Sequence, residues 1–497
     1  MNTQEVVLET PLGSLRGLQQ DGLLVFHGVP YAMPPVGARR FAPPALAQPW
    51  AGERDARHRG AIAPQTPSRL AVATGDFEEP QDEDCLTLTV WTQGVDAARR
   101  PVLVWFHGGA YTSGAGSLPW YDGSRLASEG DIVVVNVTSR LGALGYLYAP
   151  GVSPGNLGLL DQVAALEWVK SHIAAFGGDP LQVTVMGQSA GAHAIALMLA
   201  RPNAEAPLAQ RAILQSAPLG VTLYDLDKAK GNGDFFLRAL GIDPDDPRAR
   251  ELACQASIKQ ILDAQTATTL HVVQQSSPGE PGALPFIPIA DGVVLPTPGH
   301  MASALKGAAG KLDVLIGTTR DEATCFFYGN PAIEALTRAP IPEEDAARLA
   351  ARRPGGSAGR LLMDFVCEQV FLWPSLDWAR RAAQAGRNTY LYQFDWAAAN
   401  RDLAATHCLE LPFVFGTREA FAAAPMMAGA DTGRVDALSA AMRASWISFI
   451  RTGNPNHAGV PPWPPFEPAR RATMRFDDVT GAVGDLAGDS WRAAPTT

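Results

Sequence analysis

The sequence predicts an α/β protein: one large, mostly parallel sheet covered on both faces by helices. Two observations carry this. Residues 101–107 (Pro-Val-Leu-Val-Trp-Phe-His) and 131–138 are continuous apolar runs of strand length, the pattern of strands buried on both faces. Strand-like runs also alternate with helical ones along the chain, as a parallel sheet with helical crossovers requires. No repeat, low-complexity tract or linker divides the 497 residues. The chain is therefore expected to be a single domain, 1–497, with mostly helical excursions near 220–310 and 330–385.

Taken in order, residues 1–60 are rich in Pro and Gly, with short strands such as 23–26 and a loop over 28–37. A strand is expected at 84–92, followed by the two central runs. Residues 156–176 form a helix, because Leu159, Val163, Leu166, Val169 and Ile173 recur at the spacing of one helix face. Gly177-Gly178-Asp179-Pro180 ends it with a C-terminal glycine and a proline. Residues 182–186 alternate and carry β-branched side chains, so they read as a strand, and the Ala-rich run 192–199 reads as a helix. Further strands are expected at 211–217, 312–318 and 389–395. A long helix at 435–452 ends at Gly453-Asn454-Pro455.

Bulk properties narrow the function. The formal charge is −10, and no Lys/Arg run is present, which argues against nucleic-acid binding. No apolar run reaches the roughly 18 residues of a membrane span. Residues 1–25 carry Glu5, Glu9, Arg16 and Asp21 and show no apolar signal-peptide core. The five cysteines are scattered and odd in number, with no CxxC pair, so neither a disulfide framework nor a zinc site is expected. These features predict a cytoplasmic protein without metal or cofactor. Asn136-Val137-Thr138 matches a glycosylation acceptor but falls within a strand, where it is expected to be buried.

Between the strand at 182–186 and the helix at 192–199 stands Gly187-Gln188-Ser189-Ala190-Gly191. Strand, sharp turn and helix are the setting in which Gly-x-Ser-x-Gly forms a nucleophile elbow. A Cβ at Gly187 or Gly191 would jam strand against helix, and Ser189 is expected to take a strained backbone conformation. A second copy, Gly355-Gly356-Ser357-Ala358-Gly359, follows Ala351-Arg352-Arg353-Pro354. That run cannot be a buried strand, so Ser357 is read as a surface loop residue.

A serine nucleophile needs a base to take its proton and an acid to orient the base. In α/β-hydrolases the acid and then the histidine follow the serine in the chain. Of the nine histidines, five follow Ser189. His193 lies one helical turn beyond the serine and is expected in helix packing. His457 lies in a loop after the last long helix and is read as a surface residue. His271 and His300 lie in the first excursion, which leaves His407, in the loop after the strand at 389–395. The acid is Glu322 or its neighbour Asp321, both just past the strand at 312–318; position alone does not separate them. His107-Gly108-Gly109-Ala110 follows a central strand as an oxyanion loop does, so the N–H groups of Gly109, Ala110 and Ala190 are the expected donors. His107 is expected to scaffold that loop. Trp120, Tyr121, Phe326, Phe327, Phe371 and Trp373 are candidate pocket aromatics.

These motifs, together with residues 26–37, Glu83-Asp84-Cys85-Leu86, Asn156-Leu157-Gly158-Leu159-Leu160-Asp161-Gln162, Arg320-Asp321-Glu322 and His407-Cys408-Leu409-Glu410-Leu411-Pro412-Phe413, give the chain a wider likeness. It resembles the type-B carboxylesterase/lipase family, the cholinesterase-like group, and most of all its bacterial para-nitrobenzyl esterase-like members. The resemblance implies an α/β-hydrolase fold and a serine carboxylesterase acting on small uncharged esters through an acyl-enzyme. Carbamates, amides or lactones are the alternative substrates. It implies Ser189, Glu322 and His407 as the catalytic residues, and so favours Glu322 over Asp321. With all three present, a non-catalytic interaction module is the remote alternative. It further implies a structural ion pair between Arg140 and Glu83 or Asp84. Four positions depart from the family pattern. Gln188 stands for a usual Glu, Ala110 for a frequent Gly, and Ala323 for the Gly after the acid. Ala63-Pro64-Gln65 replaces a cysteine that would pair with Cys85, which suits a reducing compartment. Ala110 keeps its N–H, and the substitution is harmless unless the position needs φ > 0.

Overall fold

Successive residues of the expected central strands face opposite layers, as the period of two demands. Val102, Val104 and Phe106 join one core layer with Val133, Val135, Val183, Val185, Leu214 and Ile316. Leu103 and Trp105 join the other with Val134, Met186, Ile213, Leu315 and Tyr392. The computed structural model describes residues 3–202, 209–276 and 284–485.

The strands are β1 (Thr3–Thr10), β2 (Gly13–Gln20), β3 (Leu23–Pro30), β4 (Glu53–Asp55), β5 (Thr87–Thr92), β6 (Arg100–Phe106) and β7 (Val133–Val137). A small hairpin, β8 (Tyr148–Ala149) and β9 (Ser153–Pro154), precedes β10 (Gly178–Gln188) and β11 (Arg211–Gln215). β12 (Asp313–Thr319), β13 (Thr389–Phe394), β14 (Thr473–Phe476) and β15 (Gly481–Val483) complete the set among the described residues. All but β8 and β9 form one sheet, in the order β1-β2-β3-β5-β7-β6-β10-β11-β12-β13-β14-β15, with β4 beside β2. From β7 to β14 every neighbouring pair is parallel. The flanking pairs β1/β2, β2/β3, β3/β5, β5/β7 and β14/β15 are antiparallel.

The expected helices form, with shifted ends. The helix Leu157–His172 tightens into a 3-10 turn, Ile173–Phe176. Its Leu159, Val163 and Leu166 cover one layer, joined by the helices Ala190–Ala200 and Trp373–Gln384. Val435, Leu438, Met442 and Trp446 of the helix Thr432–Thr452 cover the other. The strand expected at 84–92 starts only at Thr87, because Cys85 N–H donates to Glu83 O (2.8 Å) and Thr87 N–H to Cys85 O (2.8 Å), a tight turn. Among the described residues both excursions are mostly helical: the first holds the helices Leu226–Ala239, Ala249–Gln255, Ile258–Gln275 and Pro298–Ala308, and the second holds those from Pro331–Glu334 to Trp373–Gln384. The second contains a π-helical turn, Cys367–Leu372. No described helix is long and apolar enough to cross a membrane.

Because β6, β10, β12 and β13 run parallel, the loops after them emerge at one end of the sheet. That is where open α/β sheets hold their ligands. Ser189 follows β10, Glu322 follows β12, His407 lies in the loop after β13, and residues 107–110 follow β6.

Candidate active site

The elbow is built by close packing. Ser189 sits at φ 54°, ψ −123°, between β10 and the helix Ala190–Ala200. Its N–H donates to Gln215 O at the end of β11 (2.9 Å), which fixes the turn against the next strand. A Cβ on Gly191 would overlap Phe106 O, where β6 ends, and one on Gly187 would lie 2.5 Å from Gly191 C. Glycine is required at both by proximity. A non-glycine residue at such φ, ψ costs on the order of 1–3 kcal/mol, held here by the strands on either side.

The loop after β6 turns directly against the serine: a Cβ on Gly108 would stand 3.1 Å from Ser189 Cβ. Gly109 has φ 108°, and a Cβ there would overlap Ser113 O. Ala110 has φ 56°. The position thus has the left-handed conformation that glycine adopts freely, and alanine holds it under strain. The N–H groups of Gly109 and Ala110 have no partner among the described residues, and Ala190, first in its helix, has no intrahelical acceptor for its own. Gln65 braces the loop from behind, accepting from Gly114 N (2.6 Å) and donating to Gly114 O (3.1 Å). One of the three residues, Ala63 to Gln65, that stand where the resemblance implies a cysteine therefore has a structural task. Cys85 is buried and free.

His407 and Glu322 meet, both buried, with His407 Nδ1 in a short hydrogen bond to Glu322 Oε2. Glu322 Oε1 accepts from Thr319 N (2.7 Å), so its carboxylate is fixed at both oxygens. The rings of Phe326 and Phe371 lie 5.2 and 5.3 Å from the imidazole. His407 Nε2 faces Gln188 Nε2 at 3.1 Å, and Gln188 also reaches Cys408 Sγ (3.3 Å). Ser189 Oγ makes no hydrogen bond among the described residues. The side chain before the serine thus touches the nitrogen that would receive the serine's proton.

The other expectations divide. His193 is buried, with Nδ1 2.9 Å from Tyr111 OH, and burial pulls its pKa down to about 4, so it packs rather than titrates. His107 Nδ1 bonds Gly108 O (2.7 Å), and burial likewise brings its pKa to about 4. Ser357 caps the helix Ala358–Val366, accepting from Arg360 N (3.2 Å), and lies outside the site. Asn136 is buried and donates to Gly116 O and Tyr121 O (3.0 and 2.7 Å). Two expectations need correction. His457 is half-buried: its Nε2 lies 3.1 Å from both Ala441 O and Ser445 Oγ, because the loop folds back along the helix Thr432–Thr452. Arg140 pairs with Asp161 (2.6 Å), which the helix Leu157–His172 presents beneath it, while Glu83 pairs with Arg40 (2.7 Å).

Of the candidate aromatics, Phe326 and Phe371 flank His407, and Trp120 and Tyr121 pack with Phe421 and Phe415 instead. Trp373 lines a cavity of about 1000 Å³, with His193, Leu219, Met301 and Trp378. Sequence reasoning missed Glu410. It is fully buried, accepts from Gln215 Nε2 at 3.2 Å through Oε1, and has no partner for Oε2. Burial, and secondly the charge of Glu322, push its pKa up to about 7. The available signal was an acidic residue within the apolar run 409–415.

A sheet of this topology, with a serine elbow, a loop of free N–H groups and a buried carboxylate–imidazole pair at one end, defines an α/β-hydrolase. Comparison with known proteins specifies it further. The model of the carboxylesterase family matches residues 4–345 and 347–486. The chain is 37% identical to a probable N-octanoylanthranilate hydrolase, AqdA2, of Rhodococcus erythropolis, over 95% of this chain and 97% of that protein. It is 35% identical to the para-nitrobenzyl esterase of Bacillus subtilis (strain 168), over 95% and 94% respectively. The crystal structure of the Geobacillus stearothermophilus carboxylesterase EST55 superposes with a TM-score of 0.84 at 35% identity, covering 98% of this chain and 99% of that one. The chain belongs to the carboxylesterase family, and it is a carboxylic-ester hydrolase.

Proposed function

We propose that Ser189, His407 and Glu322 carry the ester hydrolysis, with Gly109, Ala110 and Ala190 as oxyanion donors. The observation that carries this reading is the buried Glu322–His407 pair, whose second nitrogen, Nε2, lies against the amide of Gln188, the residue preceding Ser189. Ser189 Oγ attacks the acyl carbon as its proton passes to His407 Nε2, displacing the Gln188 amide from that lone pair. Negative charge develops on the carbonyl oxygen, where each preorganised N–H contributes on the order of 3–4 kcal/mol. His407 then protonates the leaving alcohol, and the acyl-enzyme is hydrolysed by water that His407 activates. Glu322 keeps Nδ1 protonated and stabilises the imidazolium.

Gln188 keeps the position beside His407 neutral, which suits uncharged esters. The whole chain is taken as one domain, since strands from both ends share the sheet with the catalytic loops. Five free thiols, Cys85 among them, support a reducing, cytoplasmic setting. A second reading, amide cleavage by the same residues, is favoured by the relative named for an N-octanoyl compound; kcat/KM on matched ester and amide substrates separates the two. The main test is a p-nitrophenyl phosphonate, which should label Ser189 with one adduct per chain and abolish turnover. Labelling at Ser357, or full activity in Ser189→Ala, refutes the assignment.

A further inference from the structure

Ser357 and Asp321, the two sequence rivals that the reaction leaves unused, belong to one line of contacts that ends beside His407. Ser357 caps the helix Ala358–Val366. That helix carries Arg360, whose guanidinium makes a short hydrogen bond to Asp321 Oδ1 and a second bond, from Nε, to Asp364 Oδ1 (3.0 Å). Asp321 N–H donates to Ala405 O (2.9 Å), and its Oδ2 accepts from Ala405 N (3.3 Å). Thr324 and Cys325 repeat the tie. Thr324 Oγ1 reaches Asp321 O (2.8 Å) and Leu403 O (2.6 Å), and Cys325 N–H donates to Thr406 Oγ1 (3.1 Å). The loop that presents Glu322 and the loop that presents His407 are therefore laced together at residues immediately adjoining both.

We propose that Arg360 and Asp321 are positioning residues for the His407–Glu322 pair, clamping both loops and the helix Ala358–Val366 into one unit. The proposal rests on the assignment of that pair to catalysis. Asp321 is 2% exposed, so its charge needs a partner at hand. Three arginines stand near it. Arg320 bonds Oδ2 at 2.8 Å but is 40% exposed, and Arg353 is 46% exposed and 4.0 Å away. Arg360, at 20% exposure, is the most enclosed of the three. Burial pushes the Asp321 carboxyl up, but Arg360 and Arg320 outweigh it and hold it below the usual range, so it stays ionised. Without Arg360, an under-compensated anion is left between the two loops. The least costly relief is to part them, which carries His407 away from Glu322.

The test compares Arg360→Ala, Asp321→Asn, the double variant and Arg360→Lys with wild type. It measures kcat and KM on p-nitrophenyl butyrate, Tm, and the low-field proton resonance of the His407–Glu322 hydrogen bond. Arg360→Ala and Asp321→Asn should each lower kcat about 10- to 100-fold, the order of loss for a displacement near 1 Å, with KM changed less than about twofold. The low-field resonance should weaken in both. The double variant should be no worse than the poorer single one, because both break one contact. Arg360→Lys, which restores the charge beside Asp321 but cannot bridge to Asp364 with a second fixed N–H, should recover at least about threefold of the kcat lost in Arg360→Ala while staying below wild type. Folded single variants with wild-type kcat, a lowered Tm with kcat untouched, or an additive double variant would overturn the clamp. Ser189→Ala and Glu322→Gln are run beside them. If those two keep full turnover, the catalytic assignment falls and the clamp with it. If they collapse while Arg360→Ala turns over normally, only the clamp fails.

Discussion

Replacing Glu410 with glutamine should remove a pH-dependent destabilisation from the protein. The carboxyl is fully buried, with one oxygen bonded to Gln215 and the other unpartnered. Burial first, and Glu322 second, raise its pKa from 4.5 to about 7. The unfolded chain releases this proton near the lower value, while the folded state holds it to the higher one. Between them the folded state carries one more proton than the unfolded state, so stability falls as pH rises through this window. The slope is about 1.4 kcal/mol per pH unit, which accumulates to roughly 3 kcal/mol above pH 7. The amide of Glu410→Gln does not ionise, so the stability difference, variant minus wild type, should climb by roughly that amount from pH 4.5 to 8. With an unfolding entropy of about 2.1 cal/mol/K per residue, the change in Tm is about 3 °C. Urea unfolding of both proteins at several pH values measures the difference directly. Its slope matters more than its offset, because the new amide alters hydrogen bonding at every pH. A difference that is flat with pH, or that falls as pH rises, refutes the reasoning.

Two further outcomes follow from groups already described. Asp161→Ala leaves Arg140 buried with its charge unpaired, and should lower stability by about 3–5 kcal/mol in urea unfolding; a loss under about 1 kcal/mol contradicts the buried pair's role. Ala110→Gly relieves a left-handed alanine, φ 56°, but adds freedom to the unfolded chain, so a net gain of about 0.5–1 kcal/mol is expected. A lower urea midpoint for this variant would show that the loop is not strained at Ala110.

What the sequence made legible was whatever depends on local pattern. The runs at 101–107 and 131–138 announced buried strands by composition alone, and both appear within a few residues of the expected ends. The elbow was legible because strand, turn glycines and helix are contiguous, and the structure gives each glycine a specific obstruction. Contacts between distant segments were a different matter. The resemblance offered Arg140 only Glu83 or Asp84, and it is the docking of the helix Leu157–His172 that brings Asp161 to it instead. His457 looked exposed because the loop's return along the preceding helix leaves no mark on its composition. The amide of Gln188 against His407 and the isolation of Glu410 were invisible for the same reason: each joins residues about 200 apart, or lacks a partner that only three dimensions could deny it.

The strands β10 to β13 are neighbours in the sheet, yet more than half of the chain between Ser189 and His407 lies in the two excursions. Closing a longer loop between strands already in place is inexpensive, about 0.6 kcal/mol for each doubling of length. A single methyl group at Gly191, by contrast, collides with the backbone of β6. Variation is thus cheap in the excursions and severely constrained at the elbow. Such a scaffold can exchange its excursions many times over while inheriting unaltered the spacing of strand, turn and helix around Ser189.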